Sequence, residues 1–99
     1  MTDAYDPKSG DEPRTPEEKA ARIALIVHDA EKAYDQMYEA HGFREAKWQY
    51  ELAYDWLHEA AKLCRELGNE KGAEAHEARA EHIKTVYRHQ FMDPPDLNY

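Results

Sequence analysis

The sequence predicts an all-α protein of three antiparallel helices, packed as a small bundle or an open helical array. Three observations predict it. Apolar residues recur at alternating spacings of three and four through most of the chain, the period of an α-helix with one buried face. Glycine and proline stand at the edges of these periodic stretches, where they end or begin helices. No stretch alternates apolar and polar residues as a half-buried strand does.

Residues 1–14 hold Pro7, Gly10 and Pro13 among charges, so a disordered acidic arm is expected there. Helix 1 is expected from about Pro16 to His41. Thr15 is its N-cap, Pro16 suits the first helical position, and Glu18 completes a capping box. Its apolar stripe is Ile23, Val27, Ala30, Tyr34 and Met37, and Gly42 stops it. Helix 2 is expected over 43–67, with the stripe Ala46, Tyr50, Ala53, Leu57, Ala60, Cys64, Leu67 and no internal Gly or Pro. Gly68 follows as its stop signal. Helix 3 is expected over 70–91, on Ala73, His76, Ala80, Ile83, Tyr87 and Phe91, with Gly72 weakening its first turn. Pro94 and Pro95 cannot continue a helix, so 92–99 reads as a flexible tail. Residues 15–91 then form one three-helix domain.

Short connections make consecutive helices antiparallel and predict which residues meet. Helix 1 should set Val27 against Leu57 and Tyr34 against Tyr50. Helix 3 should set Phe91 against Trp48, Tyr87 against Leu52, Ile83 against Trp56 and His76 against Leu63. Helix 2 then lies in the middle. Its Tyr50/Ala53/Leu57 face turns to helix 1, and its Trp48/Leu52/Trp56/Leu63 face turns to helix 3.

Composition excludes several function classes. The chain has 99 residues and carries 21 acids against 13 Lys and Arg, a net charge of -8. That length supports one domain with a modest core. Neutralising phosphates needs clustered cations, so nucleic acid is not the expected partner, and neither is an anionic membrane surface. No apolar run approaches the ~18 residues of a membrane span. Cys64 is alone, which leaves no internal disulfide and no paired-cysteine metal motif. A reduced, cytoplasmic setting is expected. Residues 15–91 hold fifteen acids and eleven bases. Half of the net charge therefore belongs to the two ends of the chain.

Two constellations could carry chemistry. Helix 1 sets His28, Glu31 and Asp35 on one face, and helix 2 sets Glu51, Asp55 and His58 on one face. In an antiparallel hairpin His28 mirrors His58, Glu31 mirrors Asp55, and Asp35 mirrors Glu51. Two histidines and four carboxylates suit a divalent ion such as iron, manganese or zinc. Asp55-x-x-His58 resembles the Glu-x-x-His element of di-iron bundles, with Asp in place of Glu. With helix 3 on the opposite side, a second copy of the chain would have to cover this row; uncovered, it is a solvated face. The second constellation is aromatic. Tyr38, Phe43, Trp48 and Tyr54, with Leu52, cluster around the helix 1–helix 2 turn, where rigid aromatic anchors suit a protein interface. The alternative is that they close one end of the core.

Other features carry less. His76 falls on the core stripe of helix 3, while His82 and His89 share an outer face without the spacing of a helical zinc pair. Ser9 lies in the arm, Thr85 on an outer face and Cys64 on a core stripe, so no nucleophile is set up for catalysis. There is no glycine-rich phosphate loop. The stretch Ala61–Gly72 resembles the turn between successive units of tetratricopeptide repeat proteins, a resemblance that implies a protein-binding helical array. The chain shows no self-similarity at that family's period of about 34 residues.

The expected function is a non-enzymatic helical module that binds another protein or a second copy of itself, with no cofactor. The alternative is a metal-binding helical bundle completed by dimerisation.

Overall fold

The computed structural model describes residues 12–91. They form three helices: α1 (Pro16–Tyr38), α2 (Phe43–Glu66) and α3 (Glu70–Gln90). No strand occurs among the described residues. The arm expected over 1–14 lies outside them except for residues 12–14, and the tail expected over 92–99 lies wholly outside.

α1 begins as the sequence predicts. The Thr15 hydroxyl accepts from the Glu18 N–H at 3.1 Å, and the Glu18 carboxylate accepts from the backbone N–H groups of Thr15 and Arg14. These backbone donors hold the Glu18 carboxyl below the usual carboxylate range. The helix ends at Tyr38, short of the expected His41. The N–H of Glu39 turns back to the Gln36 carbonyl and that of Ala40 to Met37, a tightening that closes the last turn early. Gly42 is not the left-handed stop residue of α1. Its φ is -177°, extended, and it is the N-cap of α2 with no side chain to offer the first turn.

The α2–α3 junction follows helix-stop chemistry closely. Gly68 is left-handed at φ 78°. Its N–H bonds to the Arg65 carbonyl, and the Asn69 N–H reaches back to Cys64 at 2.8 Å, the two bonds of a Schellman motif. Asn69 then caps α3 by accepting from the Gly72 N–H at 2.9 Å. A Cβ at Gly72 would stand 2.5 Å from the Asn69 amide nitrogen, so this glycine leaves room for the cap as well as weakening the turn. Gly68→Ala forces a Cβ into the left-handed region, and the expected outcome is a loss of about 1 kcal/mol. Urea unfolding with an unchanged slope checks it.

The core is built mostly from small residues. Among the described residues eight alanines are buried, while the large side chains that are fully enclosed are Ile26, Met37, Leu57 and Ile83. Ala30 and Ala33 of α1, Ala53 and Leu57 of α2, and Ala80 and Ile83 of α3 form one cluster to which all three helices contribute. Alanine at a crossing lets helix axes approach closely. Near the α1–α2 turn Met37 packs with Ala46 and Tyr87, and far from it Ile26 packs with Ala60 and Leu63. Near the α2–α3 turn Ala73 packs with Ala61 and Cys64.

α2 is the middle helix, but α3 does not occupy the expected face. Tyr87 stacks on Tyr50 with ring centroids 4.5 Å apart, not on Leu52. Phe91 meets Tyr38 and Tyr87, not Trp48, which is 60% exposed. Trp56 and Leu63 turn to Ile26 of α1 instead. α3 lies along Tyr50, Tyr54, Leu57, Ala61 and Cys64. Two physical reasons favour that side. The small buried stripe of α3 fits the small surface of Ala53, Ala61 and Cys64. Polar partners also wait there: Tyr54 donates to Glu81 at 3.0 Å, and the Arg65 guanidinium bridges Glu70 and Glu77.

Candidate functional site

The mirrored row of His28, Glu31, Asp35, Glu51, Asp55 and His58 is not assembled as one site. α3 comes to the side on which the row was expected to stand uncovered. Its Arg79 takes Glu31 in a bidentate pair, Nε to Oε2 at 2.8 Å and Nη2 to Oε1 at 2.7 Å. That guanidinium holds the Glu31 carboxyl below its ordinary range. The stabilisation from the pair is therefore present above the ordinary carboxylate pKa and is lost as pH falls through the depressed value. The same guanidinium lies 4.9 Å from the centre of the Tyr34 ring. Burial and a hydroxyl contact with Tyr38 push Tyr34 up to about 12.

On α2, Glu51 and Asp55 are exposed, as is His28 on α1. His58 is half-buried with its ring 4.6 Å from that of Tyr54. Among the described residues no group of three or more His, Cys, Asp or Glu is gathered to hold a metal ion. Within one chain the proposed ligands are thus not gathered: Arg79 takes Glu31, while His28, Asp35, Glu51 and Asp55 are exposed.

His58 retains one unexplained feature. Its Nε2 is buried and has no hydrogen-bond partner, a state that costs about 1–3 kcal/mol relative to a satisfied group. His58→Phe keeps a ring against Tyr54 and removes the orphan atom. The expected outcome is a gain of about 1 kcal/mol, read as a rise in the thermal midpoint. A lowered midpoint would show that the histidine is held for its polarity.

The aromatic constellation is divided by the fold. Tyr54 belongs to the α2–α3 seam, where it bonds Glu81 and leans on Tyr50 at 5.8 Å. Leu52 is half-buried against the central cluster. The remaining three are the large hydrophobics that stay exposed among the described residues: Tyr38 at 47%, Phe43 at 61% and Trp48 at 60%. Trp48 stands on the outer face of α2. Tyr38 and Phe43 stand at the turn, beside an open cleft of about 290 Å³ lined by Ala40, His41, Gly42, Phe43, Gln90 and Phe91. Tyr38 meets Phe91 edge-on at 5.5 Å, so the last residue of the α3 stripe closes one wall of this cleft. Sequence reasoning placed Phe43 here and brought Phe91 to this end, though against Trp48 and not Tyr38; it missed His41 and Gln90. The signal was available, since an antiparallel α3 must end beside the α1–α2 turn.

Cys64 is a free, buried thiol. Burial pushes its pKa up, which opposes the reactive thiolate form. Among the described residues no helix is long and apolar enough to cross a membrane. Comparison with protein-family models, curated proteins and solved structures finds no match.

Proposed function

We propose that this chain is a non-enzymatic helical module that acts by binding another protein or a second copy of itself. One observation carries the reading. Six of the nine Phe, Trp and Tyr side chains among the described residues are buried or half-buried, yet Tyr38 and Phe43 at the α1–α2 turn and Trp48 on the nearby outer face of α2 are exposed. Exposed rings are unfavourable in water, and aromatic residues dominate the anchors of protein interfaces. The open cleft beside Phe43 adds concave apolar surface at the same end.

The test joins light scattering with affinity capture on the full chain and on Trp48→Ala. Trp48 is exposed, so its removal leaves the core intact. The expected outcome is an association, to itself or to a captured protein, that weakens by about tenfold or more in the variant. A chain that stays monomeric, captures nothing and is unchanged by Trp48→Ala sinks the reading.

A further inference from the structure

We infer that residues 92–99 of the chain itself occupy the cleft at the α1–α2 turn, with the Leu97 side chain seated between Phe43 and Phe91, and that a partner binding at this end must displace them. The second half rests on the protein-binding reading above. Phe91 is both a wall of the cleft and the residue from which the segment departs. Its place is fixed from several sides. Its N–H bonds to the Tyr87 carbonyl, and its ring meets Tyr38 edge-on and stacks on Tyr87. The chain therefore leaves α3 at the rim of the cleft. Pro94 and Pro95 keep α3 from carrying the segment onward past it.

Reach and composition both fit. The six residues from Phe91 to Leu97 extend about 19 Å in the open form that prolines favour, against a cleft of about 290 Å³, roughly 7 Å on a side. The lining has no Asp, Glu, Lys or Arg, so apolar surface and not charge selects the occupant. Residues 92–99 hold Met92, Leu97 and Tyr99. Seating Leu97 takes its side chain and the exposed Phe43 ring out of water together. Attachment decides between this segment and a free competitor. A tether this short holds it at an effective concentration of about millimolar. A partner or a second copy at about micromolar concentration must therefore bind about a thousandfold more tightly to prevail.

The test is NMR spectroscopy of the full chain. The expected result is cross-peaks between the Leu97 methyls and the Phe43 ring, with backbone order parameters at residues 96–98 near the ~0.85 of a rigid backbone. Leu97→Ser and Phe43→Ser should each abolish the cross-peaks and lower those order parameters below about 0.6. Phe43 is exposed and Leu97 lies beyond α3, and circular dichroism verifies that the variants remain helical. Order parameters below about 0.6 in the parent chain, with no cross-peak from residues 92–99 to the cleft, overturn the inference. Cross-peaks that run between chains in a mixture of labelled and unlabelled protein also overturn it, because a second copy would then be the occupant. Where the parent chain associates, Leu97→Ser should strengthen the association by about tenfold or more; an unchanged association overturns the displacement. Cross-peaks without any association sensitive to Trp48→Ala would leave the seated segment standing and sink the protein-binding reading. Such an association without cross-peaks would do the reverse.

Discussion

Leu57→Ala is expected to destabilise the protein by about 3 kcal/mol. Leu57 is 1% exposed and belongs to the cluster shared by all three helices. Its buried neighbours there are Ala30, Ala33, Ala53, Ala80 and Ile83. Four of those five are alanines, with no side chain long enough to swing into a vacated space. Only the half-buried Tyr34, Tyr50, Leu52, Tyr54 and Trp56 at the margin of the cluster can relax into the space, so a loss toward the middle of the usual range of about 2–5 kcal/mol applies. A domain of this size has a thin stability margin, so the loss removes a large share of it. Urea unfolding followed by circular dichroism measures the effect as a fall in midpoint at constant slope. A loss under about 1 kcal/mol would mean that the site collapses, and that the alanine-rich crossing is looser than it stands here.

Ala53→Leu tests the same crossing from the opposite direction. Ala53 is fully buried in that cluster, at 0% exposure. Alanine and leucine have nearly equal helix propensity, so the substitution changes packing and little else. The extra carbons must push α1 or α3 away from α2, with an expected loss of about 2–3 kcal/mol. Ala75→Leu, on the exposed side of α3, is the control and should stay within about 0.5 kcal/mol of the parent. If the two variants unfold alike, Ala53 does not set the helix spacing. Together the two substitutions ask whether the core is a close-packed arrangement of small residues or a loose apolar contact.

The three helices were legible in the sequence because their signals are local. Thr15, Pro16 and Glu18 spell the α1 start in adjacent residues. Gly68 and Asn69 spell the α2 stop and the α3 cap in the same way. The stripe Ala46, Ala53, Leu57, Ala60, Cys64 also came through, since helical period alone brings those residues to one face. The end of α1 was misread because Gly42 has two possible roles, stop residue for one helix or N-cap of the next. Only its extended backbone decides between them.

The candidate site was legible in part. Tyr38, Phe43 and Trp48 were singled out together and are the exposed aromatics. Tyr54 was grouped with them because sequence distance cannot say which face a neighbour will cover. The same holds for the His and carboxylate row, which one chain does not gather among the described residues. Glu31 is a plausible ligand until Arg79, 48 positions away, reaches it.

Local chemistry thus settles how many helices this chain forms, where they begin and which stripe each buries, because capping and periodicity act within a few residues. The side of α2 that receives α3 is a different kind of question. Both the tryptophan face and the tyrosine face of α2 are apolar enough to be covered, and helical period does not rank them. The choice falls to contacts between distant residues: the Tyr50–Tyr87 stack, the Arg65 and Arg79 ion pairs, and the fit of alanine against alanine. That choice partly covers Tyr54, occupies Glu31 and leaves Trp48 and Phe43 exposed, which is why the proposed binding surface lies near one end of the bundle and not along the carboxylate row.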